Sequence, residues 1–308
     1  MDPAPYASKR KAKIIVILGP TAAGKSALAL FLAQRFDGEI ISADALQVYR
    51  GMDIGTSKPT QADREAIPHH LIDIATPDEP ITLADWQRRA QVALTTIMQA
   101  GKLPILVGGT GLYISSILEN YKLPASKPDA SLRKALERHA TTSLYGQLCK
   151  IDPQTATRID EHNRRRLVRA LEHAITTGSS FYENQKQRPT EFEFCIIGCN
   201  LPQDQLTERI NERVIAMVLA GLEREVKSLV RRYSWRAHPL TAIGYKEWRE
   251  YLMRRRKLAE VIVLIQRNTR RLAKRQMTWF KKLNRRHDIA WVHATADAIP
   301  FVRGFLKS

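Results

Sequence analysis

Residues 13–31 read KIIVILGPTAAGKSALALF, and the fold is decided at the seam between the two halves of this stretch. Lys13 to Leu18 is an apolar run rich in isoleucine and valine, the composition of a strand buried on both faces. From Ser26 to Phe36 the pattern becomes that of a helix. Between them Gly19-Pro20-Thr21-Ala22-Ala23-Gly24-Lys25-Ser26 fits G-x-x-x-x-G-K-[ST] in the strand–loop–helix setting that this motif requires. The glycines let backbone N–H groups close around phosphate oxygens, and the helix N-terminus favours negative charge. Lys25 neutralises that charge, and the Ser26 hydroxyl is a metal ligand. A loop of this kind accepts any pyrophosphate, so the motif alone does not single out ATP.

Working outward, EIIS at 39–42, a helix over Leu83–Ala100 and LPILV at 103–107 continue a βαβαβ rhythm. Two more strands are predicted at Phe194–Cys199 and Ile289–His293. The reading is an α/β fold: a P-loop NTPase-like parallel sheet with helices on both faces. Residues of about 120–190 carry helical patterns separated by Lys127-Pro128, Asp152-Pro153 and Thr177-Gly178-Ser179, with no strand pattern. The predicted organisation is therefore a core built from 1–120 and 190–308, with 121–189 as a helical insertion domain.

Ligands of open parallel sheets bind at the carboxyl ends of the strands. Asp44 follows the second strand in SADALQVY and lies at that edge. It is placed to be a general base or a partner of a metal, with helix capping as the alternative reading. The third strand runs into Gly108-Gly109-Thr110-Gly111, glycines that would let backbone come close to a ligand. It carries no acidic residue of the sort that supports Mg²⁺ in ATP hydrolases, which weakens an ATPase reading. His69-His70 lacks further ligands nearby and reads as structural or substrate-lining.

The net charge is +18, and the first 120 residues carry 12 basic and 12 acidic groups, so all of the excess lies beyond them. Such asymmetry points to a polyanion, with nucleic acid the usual candidate. Arg164, Arg165, Arg166 and Arg169 fall within six residues, while Leu167 and Leu171 stand at i,i+4 and can face a core. Nine cations from Arg267 to Arg286 run without an acid from 261 to 286. Both stretches suit phosphate contact, and Trp279 and Phe280 could pack in the core or stack on a base. Three cysteines, Cys149, Cys195 and Cys199, are too few for a disulfide framework and read as buried thiols of a reducing compartment. No secretory signal or membrane-spanning run is evident, so a cytoplasmic protein with no membrane role is expected.

Taken in order, GPTAAGKS, SADALQVY, VGGTGLY, NRRRLVRALE, TAIGYKE at 241–247 and TRRLAKRQMTWF at 269–280 resemble the bacterial tRNA dimethylallyltransferases, also called tRNA isopentenyltransferases. The resemblance implies transfer of a dimethylallyl group from dimethylallyl pyrophosphate to N6 of the adenosine beside the anticodon, in tRNAs that read codons beginning with U. It implies Asp44 as the general base and Thr21 beside the reacting carbon. Gly19, Pro20, Thr21, Ala22, Ala23, Gly24, Lys25, Ser26 and Arg213 would bind pyrophosphate, with Mg²⁺ as cofactor on Ser26. The tRNA anticodon stem-loop would meet Asp44, Ala45, Leu46, Gln47 and Thr110, and Arg164, Arg165, Arg166, Leu167 and Val168 in the insertion. A monomer is expected. Ala45-Leu46 departs from the family's more polar pattern, which puts fine tRNA preference in doubt, whereas Ala23 in place of a frequent serine leaves backbone phosphate binding intact. An adenylate-prenylating enzyme, a nucleotide kinase and a non-catalytic RNA binder are the competing readings.

Overall fold

The computed structural model describes residues 11–123, 129–183 and 189–308. The Lys127-Pro128 break and the first ten residues of the basic N-terminus lie outside the described residues. The chain divides into two compact units, one formed by Met1–Leu118 with Glu191–Ser308 and the other by Glu119–Thr190.

The first segment of the larger unit holds β1 (Ala12–Leu18), α1 (Lys25–Arg35), β2 (Gly38–Ser42), α2 (Gln61–Ala66), β3 (His69–His70), α3 (Leu83–Gln99), β4 (Leu103–Gly108) and α4 (Gly111–Leu118). The smaller unit contains α5 (Ala130–Leu136), α6 (Thr141–Ile151), α7 (Pro153–Ala156) and α8 (Arg164–Thr177), with no strand among its described residues. The chain then returns to the larger unit with β5 (Phe192–Cys199), α9 (Gln203–Leu219), α10 (Leu222–Tyr233), α11 (Trp248–Leu252), α12 (Leu258–Leu283), β6 (Ile289–Val292) and α13 (Ala298–Lys307).

The six strands form one sheet in the order β3-β2-β4-β1-β5-β6, every pair parallel. β1 is central, with Ile15 opposite Ile105 on one side and Cys195 on the other. Ile14 through Leu18 are all 0% exposed, which explains an unbroken apolar run where an alternating one would leave one face in water. Ile15 and Ile17 pack with Leu28, Ala29 and Leu32 of α1, and α3 covers β2 and β4. The capping box between Thr82 and Asp85 starts α3, a feature worth about 1 kcal/mol. His69 and His70 make a two-residue edge strand that the sequence pattern did not reveal. His70 Nε2 lies 2.7 Å from Glu39 Oε2 on the neighbouring strand, a pairing within the protein.

The smaller unit has its own core of Leu136, Leu144, Leu148, Leu167 and Leu171. Asn163 caps α8 by accepting from Arg166 N at 3.2 Å, and Gly178 ends it at φ 64°. Of the three cysteines Cys199 is buried, but Cys149 is exposed on α6, contrary to its reading as a buried thiol.

Candidate functional site

Three loops leave the carboxyl ends of β1, β2 and β4 and meet around one cavity of about 380 Å³. The first is the phosphate loop. Ala22 at φ 66° and Gly24 at φ 89° bend its backbone into a concave turn, and α1 begins at Lys25. Successive N–H groups in such a turn converge on an anion. The Lys25 ammonium folds back onto the Pro20 carbonyl at 2.7 Å. Burial draws its pKa down to about 8, the nearby Arg213 guanidinium adds to that, and Cys199 and Asp44 oppose it.

Arg213 projects from α9, its Nε donating to Ser57 Oγ at 2.9 Å and its Nη1 to Thr21 Oγ1 at 3.5 Å. Its pKa too is depressed, by burial, against the pull of Asp44. Arg209 lies one helical turn earlier and lines the same cavity, which holds three cations and a single carboxylate, Asp44. A site with that balance is under-neutralised and complementary to a small polyanion.

Asp44 sits in the turn after β2. Its Oδ1 accepts from Leu46 N at 2.8 Å and Gln47 N at 3.4 Å, so it caps this turn while also lining the cavity. Gln47 and Thr110 are engaged by the protein. Gln47 Oε1 accepts from Ser42 Oγ at 2.8 Å, and its Nε2 donates to the Thr56 and Ser57 carbonyls at 3.2 and 3.3 Å. Thr110 Oγ1 accepts from Ala45 N at 3.1 Å. Both therefore shape the turn that carries Asp44, with Ala45 and Leu46 half-buried beside it.

The third loop lines the cavity with Gly108 and Gly109, and its glycines are also packed against the protein itself. A Cβ on Gly108 would meet the Ala43 carbonyl oxygen at 2.2 Å, one on Gly109 the Gln276 Nε2 at 2.4 Å, and one on Gly111 the Trp279 Cδ1 at 2.4 Å. These glycines admit the protein's own backbone and α12, so close packing within the protein already requires them. Gln276 bridges the two glycine-rich loops: its Oε1 accepts from Thr21 N at 2.9 Å and its Nε2 donates to the Gly109 carbonyl at 3.0 Å. The Thr21 amide is thereby occupied, and the Ala23 amide donates to the Pro20 carbonyl at 3.3 Å within the loop itself.

A family model described as IPP transferase matches residues 47–283. The chain belongs to the IPP transferase family. The tRNA dimethylallyltransferase of Moorella thermoacetica is 44% identical over 301 residues, covering 94% of this chain and 92% of that protein. The crystal structure of the tRNA isopentenylpyrophosphate transferase from Bacillus halodurans superposes with a TM-score of 0.72 at 39% identity, covering 96% of this chain and 97% of that one. A eukaryotic dimethylallyltransferase described as acting on tRNA superposes with a TM-score of 0.84 at 29% identity, over 96% of this chain and 80% of that one. The α/β architecture is thus the family's own, and the chain is a transferase of that family.

The basic segments of this IPP transferase divide by what their side chains touch. On α12 Arg267, Arg271, Lys274, Arg275, Lys281 and Lys282 are exposed, while Arg270 is tied to Asn211 Oδ1 at 2.6 Å. Phe280 is 0% exposed and belongs to the core. Trp279 is 42% exposed, with Nε1 donating to Ser115 Oγ at 3.2 Å. On α8 Arg165 and Arg166 are exposed, but Arg164 donates to the carbonyls of Glu137 and of His139, the latter at 2.5 Å. Leu167 and Val168, expected at an RNA surface, are 0% and 4% exposed and fill the smaller unit's core, so their side chains are closed to RNA.

Sequence reasoning missed Arg209, Gln276 and Ser57. The i,i+4 spacing of Arg209 and Arg213 was a usable signal for the first. Nothing in the sequence pairs Gln276 with a loop some 255 residues away.

Proposed function

We propose that this chain is a tRNA dimethylallyltransferase, moving the dimethylallyl group of dimethylallyl pyrophosphate to N6 of the adenosine beside the anticodon in tRNAs that read codons beginning with U. The observation that carries the proposal is the cavity in which Lys25, Arg209 and Arg213 surround the phosphate loop, with Asp44 as the sole carboxylate. The relatives' names supply the substrates.

In this mechanism the N6 nitrogen attacks the allylic carbon, the bond from that carbon to the bridging oxygen breaks, and pyrophosphate leaves. The proton released from N6 passes to the Asp44 carboxylate and then to solvent. The negative charge that grows on the leaving group is met by Lys25, Arg209, Arg213 and the amides at the start of α1, donors already in place before reaction. Thr21 Oγ1, held near Arg213, lies beside the reacting carbon. The turn from Asp44 to Gln47, braced by Thr110, holds the base where an adenine lifted out of the anticodon loop would arrive.

Among the described residues no group of three His, Cys, Asp or Glu side chains could hold a metal ion. Mg²⁺ would arrive with its pyrophosphate, as an ion that keeps most of its waters and takes few protein ligands. Ser26, exposed at the start of α1, would hold it, and the ion would supply further neutralisation of the leaving group. The exposed cations of α12, with Arg165 and Arg166 on α8, would meet the tRNA backbone. Among the described residues no helix is long and apolar enough to cross a membrane. A monomer working in the cytoplasm completes the proposal.

The test is to incubate the protein with bulk tRNA and labelled dimethylallyl pyrophosphate or labelled ATP in parallel, then weigh the released nucleosides. A dimethylallyl-adenosine from the first label is expected, and label reaching tRNA only from ATP would overturn the proposal. Asp44→Ala should abolish transfer while tRNA binding persists.

A further inference from the structure

TAIGYKE at 241–247 is one of the motifs that carry the resemblance, yet none of its residues reaches the cavity. Its tyrosine is the end of a chain of contacts that does. Tyr245 is 0% exposed, and its hydroxyl donates to Glu225 Oε1 at 2.8 Å. Burial first, then the neighbouring Glu225 carboxylate, hold the phenol well above its usual pKa, so it remains a donor. Glu225, on α10, also accepts three consecutive backbone amides: Asp53 N at 2.9 Å and Ile54 N at 2.7 Å on Oε2, and Gly55 N at 3.0 Å on Oε1. One carboxylate thus gathers the start of the 53–57 loop. Gly55 must be glycine there, because a Cβ would lie 2.5 Å from the Tyr245 oxygen.

The other end of that loop reaches two site residues. The Thr56 and Ser57 carbonyls hold the Gln47 amide, and Ser57 Oγ accepts from Arg213 Nε at 2.9 Å. Charged acceptors of several N–H bonds are among the stronger hydrogen bonds in proteins, and they fix backbone geometry as well as supplying energy. Gln47 comes from the turn after β2 and Arg213 from α9, segments far apart in the chain. The 53–57 loop joins them.

We infer that Glu225 and Tyr245 are positioning residues of the transferase, clamping the 53–57 loop so that Ser57 aims Arg213 at the pyrophosphate and the loop carbonyls fix Gln47 beside Asp44. Neither touches a reacting atom. The role assigned to Arg213 rests on the function proposed above, but a positioned guanidinium can be read without any transfer.

The experiment measures the dissociation constant of inorganic pyrophosphate with Mg²⁺ for wild type, Tyr245→Phe, Arg213→Ala and the double variant, each with its unfolding midpoint. Tyr245→Phe removes one buried hydrogen-bond donor and nothing of its ring. It should weaken pyrophosphate about five-fold in the wild-type background and leave it unchanged in the Arg213→Ala background, the non-additivity of residues that act through one another. Glu225→Gln should weaken it further, because an amide nitrogen would face N–H donors, and Glu225→Asp should recover part of the loss. If either Tyr245→Phe or Glu225→Gln lowers the unfolding midpoint while the pyrophosphate constant stays at the wild-type value, the role is structural and the inference fails. Equal effects of Tyr245→Phe in both backgrounds would overturn it too. Prenyl transfer by the wild type, assayed separately, reports on the proposed function alone.

Discussion

The two glycine-rich loops at the sheet edge look alike in sequence and are unlike in what their glycines do. In 19–24 positive φ at Gly19, Ala22 and Gly24 turns the chain, and the space beside Gly24 is open, its nearest contact being Arg209 Nη1 at 4.0 Å from a would-be Cβ. In 108–111 no residue has positive φ, and each glycine is pressed against another part of the protein. The first loop needs glycine for conformation at Gly24, and for both conformation and proximity at Gly19, where a Cβ would lie 2.5 Å from the Cys199 carbonyl oxygen. The second needs it for proximity alone. A glycine-rich turn therefore does not by itself mark ligand contact.

The sharpest way to break this distinction is Gly108→Ala. Its Cβ would meet a backbone oxygen that cannot move aside, and the overpacking should cost about 3 kcal/mol of stability, read as a lowered denaturant midpoint. A variant as stable as wild type but defective only in pyrophosphate binding would show that the second loop is a ligand loop after all. Gly24→Ala should behave oppositely. Left-handed backbone costs an alanine about 1–2 kcal/mol, whereas the re-aimed amides should weaken pyrophosphate about ten-fold. Calorimetric titration beside thermal unfolding separates the two effects.

Charge on the first loop adds a pH test. On the proposed function the protonated form of Lys25 would hold pyrophosphate, and burial draws its pKa down to about 8 in the free protein. Affinity should therefore be retained below that pH and fall as pH rises through it. Lys25→Arg, whose guanidinium stays charged, should remove this break and leave only the ligand's own titration. The smallest effect belongs to Gly109→Ala, because the atom it would strike is the end of a flexible side chain. A cost of about 1 kcal/mol is expected, and adding Gln276→Ala should cost less than the two changes apart, since the clash disappears with its partner. Strict additivity in unfolding measurements would separate Gln276 from the second loop.

Much of this was legible in sequence because it is local. Lys13 to Leu18 declared a doubly buried strand, and Gly24-Lys25-Ser26 declared the helix that follows. The strand ends placed Asp44 beside the phosphate loop with no structure in hand. What stayed hidden depends on pairing across the chain. Gln276 and Tyr245 lie on helices or turns whose inner faces look like any other packed surface. The i,i+4 spacing of Leu167 and Leu171 already allowed a core-facing stripe, and it was the resemblance alone that assigned Leu167 and Val168 to RNA. His69-His70 was too short to show a strand period.

The neighbours of β1 also set an order on how this chain can be made. Its partner β4 precedes the helical unit, while its partner β5, at Phe192–Cys199, comes after it. During synthesis the helical unit, contiguous in sequence and with a core of its own, is complete while one side of β1 still lacks its ladder. An open apolar strand edge is a template for wrong partners. The nascent enzyme must carry that exposed edge through some seventy residues of the smaller unit before the strand that closes it emerges.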